Sequence, residues 1–251
     1  MNERTHWDRI GNSYDNEIFD VFKSDLKRKL RYYFTKHASK KKSCIDFGCG
    51  SGKSFTYLSP LFKNILAIDI SQELLSQAKQ RPFDNISFKR MDLSKRNIKL
   101  PFVDFLFCCN VIMLPAVEKN VVMLKNISRA LKKKATAVMV LPSIESAFFS
   151  SWRLIDWYKQ EGVRPEKIDK DELNYFKGRK TDIIQGIVYI DNVPTKHYSA
   201  SELEVLFGQA GLKITTLDKV EYHWNTEFQS PPSWMKAPYP WDWLVECKKI
   251  G

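Results

Sequence analysis

The stretch that decides the fold reads Asp46-Phe47-Gly48-Cys49-Gly50-Ser51-Gly52-Lys53-Ser54. It contains the end of the apolar run 43–47, which predicts a short buried strand, and it leads into a helical pattern over 53–61. Glycines at alternate positions remove side chains where the backbone turns sharply or lies close to a bound molecule. The segment therefore predicts a ligand-binding turn between a strand and a helix.

Two other glycine-rich signatures share parts of this segment, and each fails at a named position. A phosphate-binding P-loop has the pattern GxxxxGK[ST], and Phe47 stands where its first glycine is required. The dinucleotide fingerprint GxGxxG needs a third glycine at a position that Lys53 or Phe55 occupies. Neither pattern fits the sequence.

Predicted strands alternate with predicted helices along residues 1–142, which is typical of a parallel sheet covered on both faces. Right-handed crossovers would connect the strands. The predicted strands are 43–47, 64–69, 86–91, 103–110 and 135–141, and the predicted helices are 14–37, 53–61, 71–81 and 117–133.

The alternation stops after Pro142. Residues 143–198 contain a predicted helix at 145–160, a charged stretch and a predicted strand at 183–190 that ends in a hairpin turn at Asp191-Asn192. A helix at 202–210 and strands at 213–223 and 241–248 follow. We therefore predict a ligand-binding part at 1–142, an inserted substrate lid at 143–198 over the carboxyl edge of the sheet where ligands bind, and a segment at 199–251 that completes the same domain.

The glycine loop resembles the acidic-x-Gly-x-Gly-x-Gly segment after the first strand of class I, Rossmann-like S-adenosylmethionine-dependent methyltransferases. Asp69 ends the second predicted strand, 17 residues after Gly52, and Asp92 ends the third. The resemblance covers residues 7–141 and continues at 197–211, 213–224 and 241–249. It implies an α/β fold with a doubly wound, mostly parallel seven-stranded sheet, an antiparallel last strand, and S-adenosyl-L-methionine as cofactor.

The resemblance also implies which residues contact the cofactor. In this family the glycine loop holds the amino-acid part, an acid after the second strand binds the ribose hydroxyls, and an acid after the third meets the adenine. A carboxylate can accept two hydrogen bonds at once, which suits Asp69 to the ribose. The implied cofactor-binding residues are Tyr14, Asp46, Gly48, Cys49, Gly50, Gly52, Asp69, Ile70, Met91, Asp92, Leu93, Cys109 and Asn110.

Several of these residues have a second interpretation. Asp69 and Asp92 could cap the helices that follow their strands. Asp46 could order the loop or meet the ammonium group of the cofactor. Tyr14 resembles an aromatic residue that many members place over the cofactor, and it could equally anchor its helix. Lys53 could meet the cofactor carboxylate or only solvate its helix.

The methyl acceptor is predicted to bind near residues 108–114, which correspond to the end of the fourth strand. Many relatives carry a polar or acidic side chain near Met113, and this chain has none there, which argues against a general base at that position. His197 is the candidate catalytic base, with a structural histidine as the alternative. The predicted substrate-pocket residues are Met113, Trp152, Tyr198 and Trp224, and Trp152 could instead belong to the core face of its helix.

Charge bears on the class of acceptor. The 251 residues include 40 Lys plus Arg and 29 Asp plus Glu, a formal net charge of +11. Residues 1–142 carry 26 basic and 13 acidic side chains, whereas 143–200 carry nine of each. Because the predicted lid is neutral and aromatic, a small-molecule N, O or C acceptor is favoured. The alternatives are an RNA or protein methyltransferase with a basic surface, and a non-catalytic cofactor-binding scaffold.

The cellular setting is predicted from cysteine usage and hydropathy. Five cysteines without a CxxC pair are typical of reduced thiols in a cytosolic protein. The first residues lack an apolar signal core, and Asp104 and Asn110 interrupt the most apolar stretch, 102–117. We therefore expect a cytoplasmic protein with no signal peptide, no membrane association and no metal site.

Overall fold

The computed structural model describes residues 19–190 and 192–250. The strands are β1 Ser39–Phe47, β2 Phe62–Asp69, β3 Ile86–Arg90, β4 Val103–Cys109, β5 Leu131–Pro142, β6 Ile187–Ile190, β7 Val193–Lys196, β8 Leu212–Glu221 and β9 Trp241–Lys249. The helices are α1 Val21–Ser24, α2 Lys29–His37, α3 Phe55–Leu58, α4 Gln72–Lys79, α5 Val117–Ala130, α6 Ile144–Gln160, α7 Lys180–Ile184 and α8 Ala200–Gln209. Short 3-10 segments lie at Pro165–Lys167, Lys170–Phe176 and Trp224–Thr226.

Seven strands form one sheet in the order β3-β2-β1-β4-β5-β9-β8. Strands β1 to β5 are parallel, and β9 runs antiparallel to both of its neighbours. The prediction of a mostly parallel seven-stranded sheet with an antiparallel last strand is confirmed. Strands β6 and β7 form a separate hairpin.

Side chains of the central strands alternate between two buried clusters, one on each face of the sheet. Ile45 and Phe47 pack with residues of α5 and α8. Cys44 and Phe105 pack on the opposite face with residues of α2. Because both faces are covered, the central strands are held rigidly, and their carboxyl ends fix the loops that follow them.

The predicted helix over 14–37 is wrong in its described part, 19–37. Two helices, α1 and α2, replace it, and Arg28 between them adopts a left-handed backbone with φ 52°. Asp25 accepts a hydrogen bond of 2.8 Å from the backbone N–H of Leu30 at the start of α2. Hydrophobic spacing continues across this break, so it does not reveal the turn.

Both lysine-rich turns belong to strands. Lysines 40–42 lie in β1, and lysines 132–134 lie in β5 rather than at the end of the preceding helix, which stops at Ala130. These strand ends extend beyond the apolar runs into solvent, where a strand carries no hydrophobic signal. The predicted helix at 53–61 is a single turn, α3.

The segment after β5 also differs from its prediction. The predicted strand 183–190 is shorter, because α7 ends at Ile184 and Gly186 turns the chain with φ 71° before β6 begins. The segment leaves and rejoins the sheet at one point, where the N–H of Tyr198 donates to the carbonyl of Pro142 at 2.8 Å. Across residues 19–190 and 192–250, no helix has both the length and the apolar character to cross a membrane.

Candidate functional site

The glycine loop lies at the carboxyl edge of the sheet, between β1 and α3. Gly48 and Gly52 have φ angles of 82° and 79°, which residues other than glycine rarely adopt. A Cβ atom on Gly48 would lie 2.2 Å from Cγ2 of Val111, a residue just beyond β4. The N–H groups of Gly48 and Cys49 donate to the carbonyl of Ile68 at 2.8 and 2.9 Å. The loop is therefore clamped between the ends of β2 and β4.

Asp46 closes the base of this loop. Its carboxylate is 2% exposed and accepts a hydrogen bond from the hydroxyl of Ser54. Burial raises the pKa of Asp46 to about 7, although the Ser54 bond opposes that shift. This hydrogen bond connects β1 to the residue that precedes α3, as expected if Asp46 orders the loop. A contact between Asp46 and the ammonium group of the cofactor stays a prediction.

Asp69 links the glycine loop to the helix after β2. Its Oδ2 accepts from the N–H of Gly50 at 2.8 Å, and its Oδ1 accepts from the N–H of Ser71 at 2.9 Å. Ser71 in turn caps α4 by accepting from the N–H of Leu74 at 3.2 Å. These bonds fit the capping interpretation, and each carboxylate oxygen can accept more than one hydrogen bond. The ribose-binding role of Asp69, and of its neighbour Ile70, remains a prediction.

The residues after β3 lie beside Asp69. The N–H of Met91 donates to the Asp69 carbonyl at 2.9 Å. Asp92 is partly exposed, and its Oδ1 accepts from the N–H and the hydroxyl of Ser94. Leu93 is buried in the core, and its contact with the cofactor stays a prediction.

The end of β4 borders the glycine loop. Cys109 is partly buried, and Asn110 has a positive φ of 50° while its N–H donates to the carbonyl of Val140 at 3.0 Å. Its Nδ2 donates to Oδ2 of Asp242 at 3.3 Å. Residues held in sparsely populated backbone regions cluster at ligand sites, which makes this corner a candidate binding position. Tyr14 lies outside the described residues.

His197 lies inside the protein between β7 and α8. Its Nδ1 is 3.1 Å from the carbonyl oxygen of Thr195, which can only accept, so Nδ1 carries the hydrogen. Burial lowers the pKa of His197 to about 4, so the ring is neutral at pH 7. A neutral ring with Nδ1 protonated keeps Nε2 as its basic atom. The catalytic assignment stays a prediction.

The predicted pocket aromatics occupy different environments. Tyr198 is 1% exposed and donates its hydroxyl to the Ile112 carbonyl at 2.8 Å. Trp224 is 2% exposed and donates Nε1 to the Lys236 carbonyl at 3.1 Å. Both rings lie in the packed interior, and main-chain carbonyls satisfy their polar atoms. Their assignment to the substrate pocket stays a prediction.

Trp152 is 56% exposed, so the alternative that it forms part of the core face of α6 is wrong. Its ring stacks on Phe149, with ring centroids 6.1 Å apart. Leu154 is the buried residue of this part of the helix. Met113 is partly buried, and its carbonyl accepts from the N–H of Lys196 at 2.9 Å.

Asp242 is a candidate site residue that the sequence did not indicate. It is partly buried at the start of β9, and the hydroxyl of Tyr222 donates to its Oδ2 at 2.8 Å. Burial raises the pKa of Asp242, against the effect of the Tyr222 and Asn110 hydrogen bonds. The available signal was an acid between two tryptophans, Trp241 and Trp243, at the start of a predicted strand.

Comparison with known proteins places this site in a family context. Residues 44–134 match the family model described as "Methyltransferase domain". "Putative methyltransferase 235L" of Invertebrate iridescent virus 6 is 30% identical over 109 residues, 42% of this chain and 39% of the viral protein. "Probable S-adenosylmethionine-dependent methyltransferase CRG1" of Saccharomyces cerevisiae is 35% identical over 68 residues, 27% of this chain and 22% of the yeast protein.

A crystal structure of a SAM-dependent methyltransferase from Methanosarcina mazei has a similar fold. The TM-score is 0.61 at 17% identity, over 90% of this chain and 99% of that one. This likeness shows the fold of the sheet and its helices. The chain spans less than two fifths of the length of the curated viral and yeast relatives that it matches.

Proposed function

We propose that this protein, which carries a class I S-adenosylmethionine-dependent methyltransferase domain, transfers methyl groups to a small-molecule acceptor. One observation carries the proposal. The glycine loop is fixed in a left-handed form at the carboxyl edge of the sheet, fastened by Asp69 and covered by Val111. Ligands of open α/β sheets bind at this edge.

The chemistry of the edge fits S-adenosyl-L-methionine. The cofactor offers hydrogen-bond donors at its ammonium, its two ribose hydroxyls and its adenine amino group. Three carboxylates that follow or end adjacent parallel strands can accept them: Asp46, Asp69 and Asp92. When bound, S-adenosyl-L-methionine supplies a methyl group already activated by a positively charged sulfur.

The chain contributes positioning and exclusion of water. A displacement reaction needs the acceptor atom held in line with the methyl carbon at about 3 Å, in a site closed to solvent. The segment 143–198 starts and ends beside the carboxyl end of β5, so it is suited to act as the substrate lid. The domain that it would cover is formed by 1–142 and 199–251. His197 stays a candidate base within that lid.

A small-molecule acceptor is favoured by where the lysines lie. The runs 40–42 and 132–134 are at the amino ends of β1 and β5. The glycine loop follows the opposite end of β1, which at nine residues is about 30 Å long. These lysines therefore do not line the site itself. The excess basic charge is the observation that supports an RNA or protein acceptor as the second candidate.

Cofactor binding tests the proposal first. We expect S-adenosylhomocysteine to raise the melting temperature of the wild type, and Asp69→Ala to weaken its binding at least tenfold, as loss of a charged hydrogen-bond acceptor does. Asp84→Ala, which changes an exposed acid beyond α4, is the matched control and should bind as the wild type does.

Two outcomes would count against the proposal. Absence of any thermal stabilisation of the wild type by millimolar S-adenosylhomocysteine would exclude the cofactor. Binding without formation of S-adenosylhomocysteine from S-adenosylmethionine, across a panel of small amines and alcohols, would favour the non-catalytic scaffold.

A further inference from the structure

Three side chains from distant parts of the sequence meet beside the end of β4. Asn110 follows β4, Tyr222 follows β8, and Asp242 is the second residue of β9. The Tyr222 hydroxyl and the Asn110 amide donate to one carboxylate oxygen, Oδ2 of Asp242, at 2.8 and 3.3 Å. We call these three residues the Asp242 cluster.

The Asp242 cluster presents two oxygen atoms that lack hydrogen bonds. Both bonds to Asp242 fall on Oδ2, and Oδ1 receives none from residues 19–190 or 192–250. Oδ1 of Asn110 is buried and likewise has no partner in that part of the chain. An amide oxygen and a carboxylate oxygen can only accept from a donor, so a ligand here has to bring N–H or O–H groups.

Asp242 also lacks a cationic partner. Among the described residues, no lysine, arginine or histidine lies within ion-pair distance of it, whereas Asp218 on the neighbouring strand β8 is 2.6 Å from Nζ of Lys29. A carboxylate that is partly removed from water gains most from a positively charged donor. The ring of Tyr222 adds an aromatic surface, with Phe19 packed edge-on at 4.7 Å.

The Asp242 cluster lies next to the glycine loop. Val111, the residue after Asn110, fills the position that a side chain on Gly48 would take. Cys109 lies between the two regions: burial raises the pKa of its thiol, and the carboxylates of Asp242 and Asp46 raise it further. The cluster therefore includes part of the segment 108–114, near which the sequence predicts that the methyl acceptor binds.

We propose that Asp242 binds the amino group of the methyl acceptor, so that the substrate class is a small-molecule amine. The lone pair of the neutral amine forms the bond to the methyl carbon as the carbon–sulfur bond breaks and S-adenosylhomocysteine leaves, and the Asp242 carboxylate pairs with the positive charge that the nitrogen gains. This inference rests on the proposed function and narrows it. Asn110 accepts a second N–H of the same amine, and Tyr222 holds the carboxylate in place. The sequence shows no acid near Met113, and the structure brings one from β9 to Asn110, the residue that follows β4.

The test compares two cofactor analogues. One is an analogue of sinefungin in which a carbon that bears an aminomethyl group replaces the methylated sulfur, so that its CH2 stands where the methyl group would be and its ammonium stands where the acceptor nitrogen would be. We call it the aminomethyl analogue. S-adenosylhomocysteine has nothing at either position. Dissociation constants of both analogues are measured by calorimetry for the wild type, for Asp242→Asn and for the control Asp218→Asn. Asp218 is a matched control because it too accepts a hydrogen bond from a tyrosine hydroxyl, that of Tyr33.

We expect Asp242→Asn to weaken binding of the aminomethyl analogue about tenfold or more, as loss of a charged hydrogen bond does, and to leave the dissociation constant of S-adenosylhomocysteine within about threefold. Asp218→Asn should change neither. If the ratio of the two constants is the same in Asp242→Asn and the wild type, the proposal is overturned.

A second measurement uses the unmodified protein, in case Asp242→Asn does not fold. A crystal structure of the wild type with the aminomethyl analogue should show its amine within hydrogen-bond distance of Oδ1 of Asp242. An amine bound elsewhere overturns the inference while leaving cofactor binding intact. A wild type that binds neither analogue overturns the proposed function, and this inference with it. Methylation of alcohols but not amines would reject the amine class.

Discussion

Gly48 shows how one residue fixes the loop. Its φ is 82°, and the place of a side chain is filled by Val111. We expect Gly48→Ala to cost about 2–4 kcal/mol of unfolding free energy and to abolish most of the stabilisation by S-adenosylhomocysteine, because strain and overpacking add. Gly162→Ala is the control: φ is 81°, but apart from its neighbours in the chain no atom of the described residues lies within 4 Å of the added Cβ. Equal losses in the two variants, by urea unfolding and calorimetry, would contradict this explanation.

Asp46 makes stability depend on pH. Burial raises its pKa to about 7, well above the 3.8 of an ordinary aspartate, so the folded protein retains a proton that the unfolded chain releases. Its contribution to the unfolding free energy therefore falls as pH rises from about 4 to 7, by at most about 1.4 kcal/mol per pH unit. Asp46→Asn abolishes this titration and still offers Ser54 an acceptor.

The pH dependence of Asp46 has to be measured as the difference in unfolding free energy between the wild type and Asp46→Asn. His197 changes the unfolding free energy with pH in the opposite direction and would otherwise mask it. Its pKa is lowered to about 4, so its contribution to stability is lost as pH falls below about 6.5. The wild-type unfolding free energy minus that of Asp46→Asn should decrease steadily between pH 4.5 and 7.5. A constant difference would show that Asp46 does not titrate in this range.

A buried ion pair joins β7 to α8. Nζ of Lys196 donates to Oε2 of Glu202 at 2.7 Å and to the carbonyl of His197 at 2.6 Å, and the lysine is fully buried. Glu202→Ala leaves that ammonium without a counter-ion, which we expect to cost about 3 kcal/mol. Lys196→Met should cost about 1 kcal/mol, because the Glu202 side chain is 33% exposed and can be hydrated. Urea unfolding measures both; the reverse order of costs would refute this asymmetry.

Strands that are buried on both faces could be predicted from the sequence, whereas the solvent-exposed ends of strands could not. Strands such as β2 and β4 appear in the sequence as continuous apolar runs. The amino ends of β1 and β5 are lysine-rich and resemble turns, although they pair with neighbouring strands. The left-handed turn at Arg28 depends on a contact between Leu26 and Glu221 at the end of β8, which no local pattern contains.

The residues of the candidate site also differ in whether the sequence could predict their positions. The glycine loop and Asp69 could be placed from sequence, because each follows a strand and parallel strands end at one edge. The contact between Asn110 and Asp242 spans 132 residues and requires the sheet order and the antiparallel direction of β9. The burial of Tyr198 depends on a hydrogen bond to the segment after β4, 86 residues earlier.

Across the whole molecule, the basic runs and the glycine loop lie at opposite edges of the sheet. This separation predicts that the runs do not serve the reaction. Lys41 and Lys133 are exposed, and we expect the double variant Lys41→Gln/Lys133→Gln to bind S-adenosylhomocysteine and methylate amines as the wild type does. Activity on a small amine should also be insensitive to salt between 50 and 200 mM, in the range where phosphate contacts weaken strongly.

An RNA acceptor would give a different result in the same experiment. Each phosphate contact that is lost reduces the slope of log affinity against log salt by about 0.7 for a single strand. If Lys41 and Lys133 held the substrate, the double variant would lower that slope by about 1.4 for a fluorescent single-stranded RNA. If RNA binds at these lysines but does not compete with the amine, the reaction still takes place at the opposite edge of the sheet. RNA bound at the lysines does not cover the glycine loop.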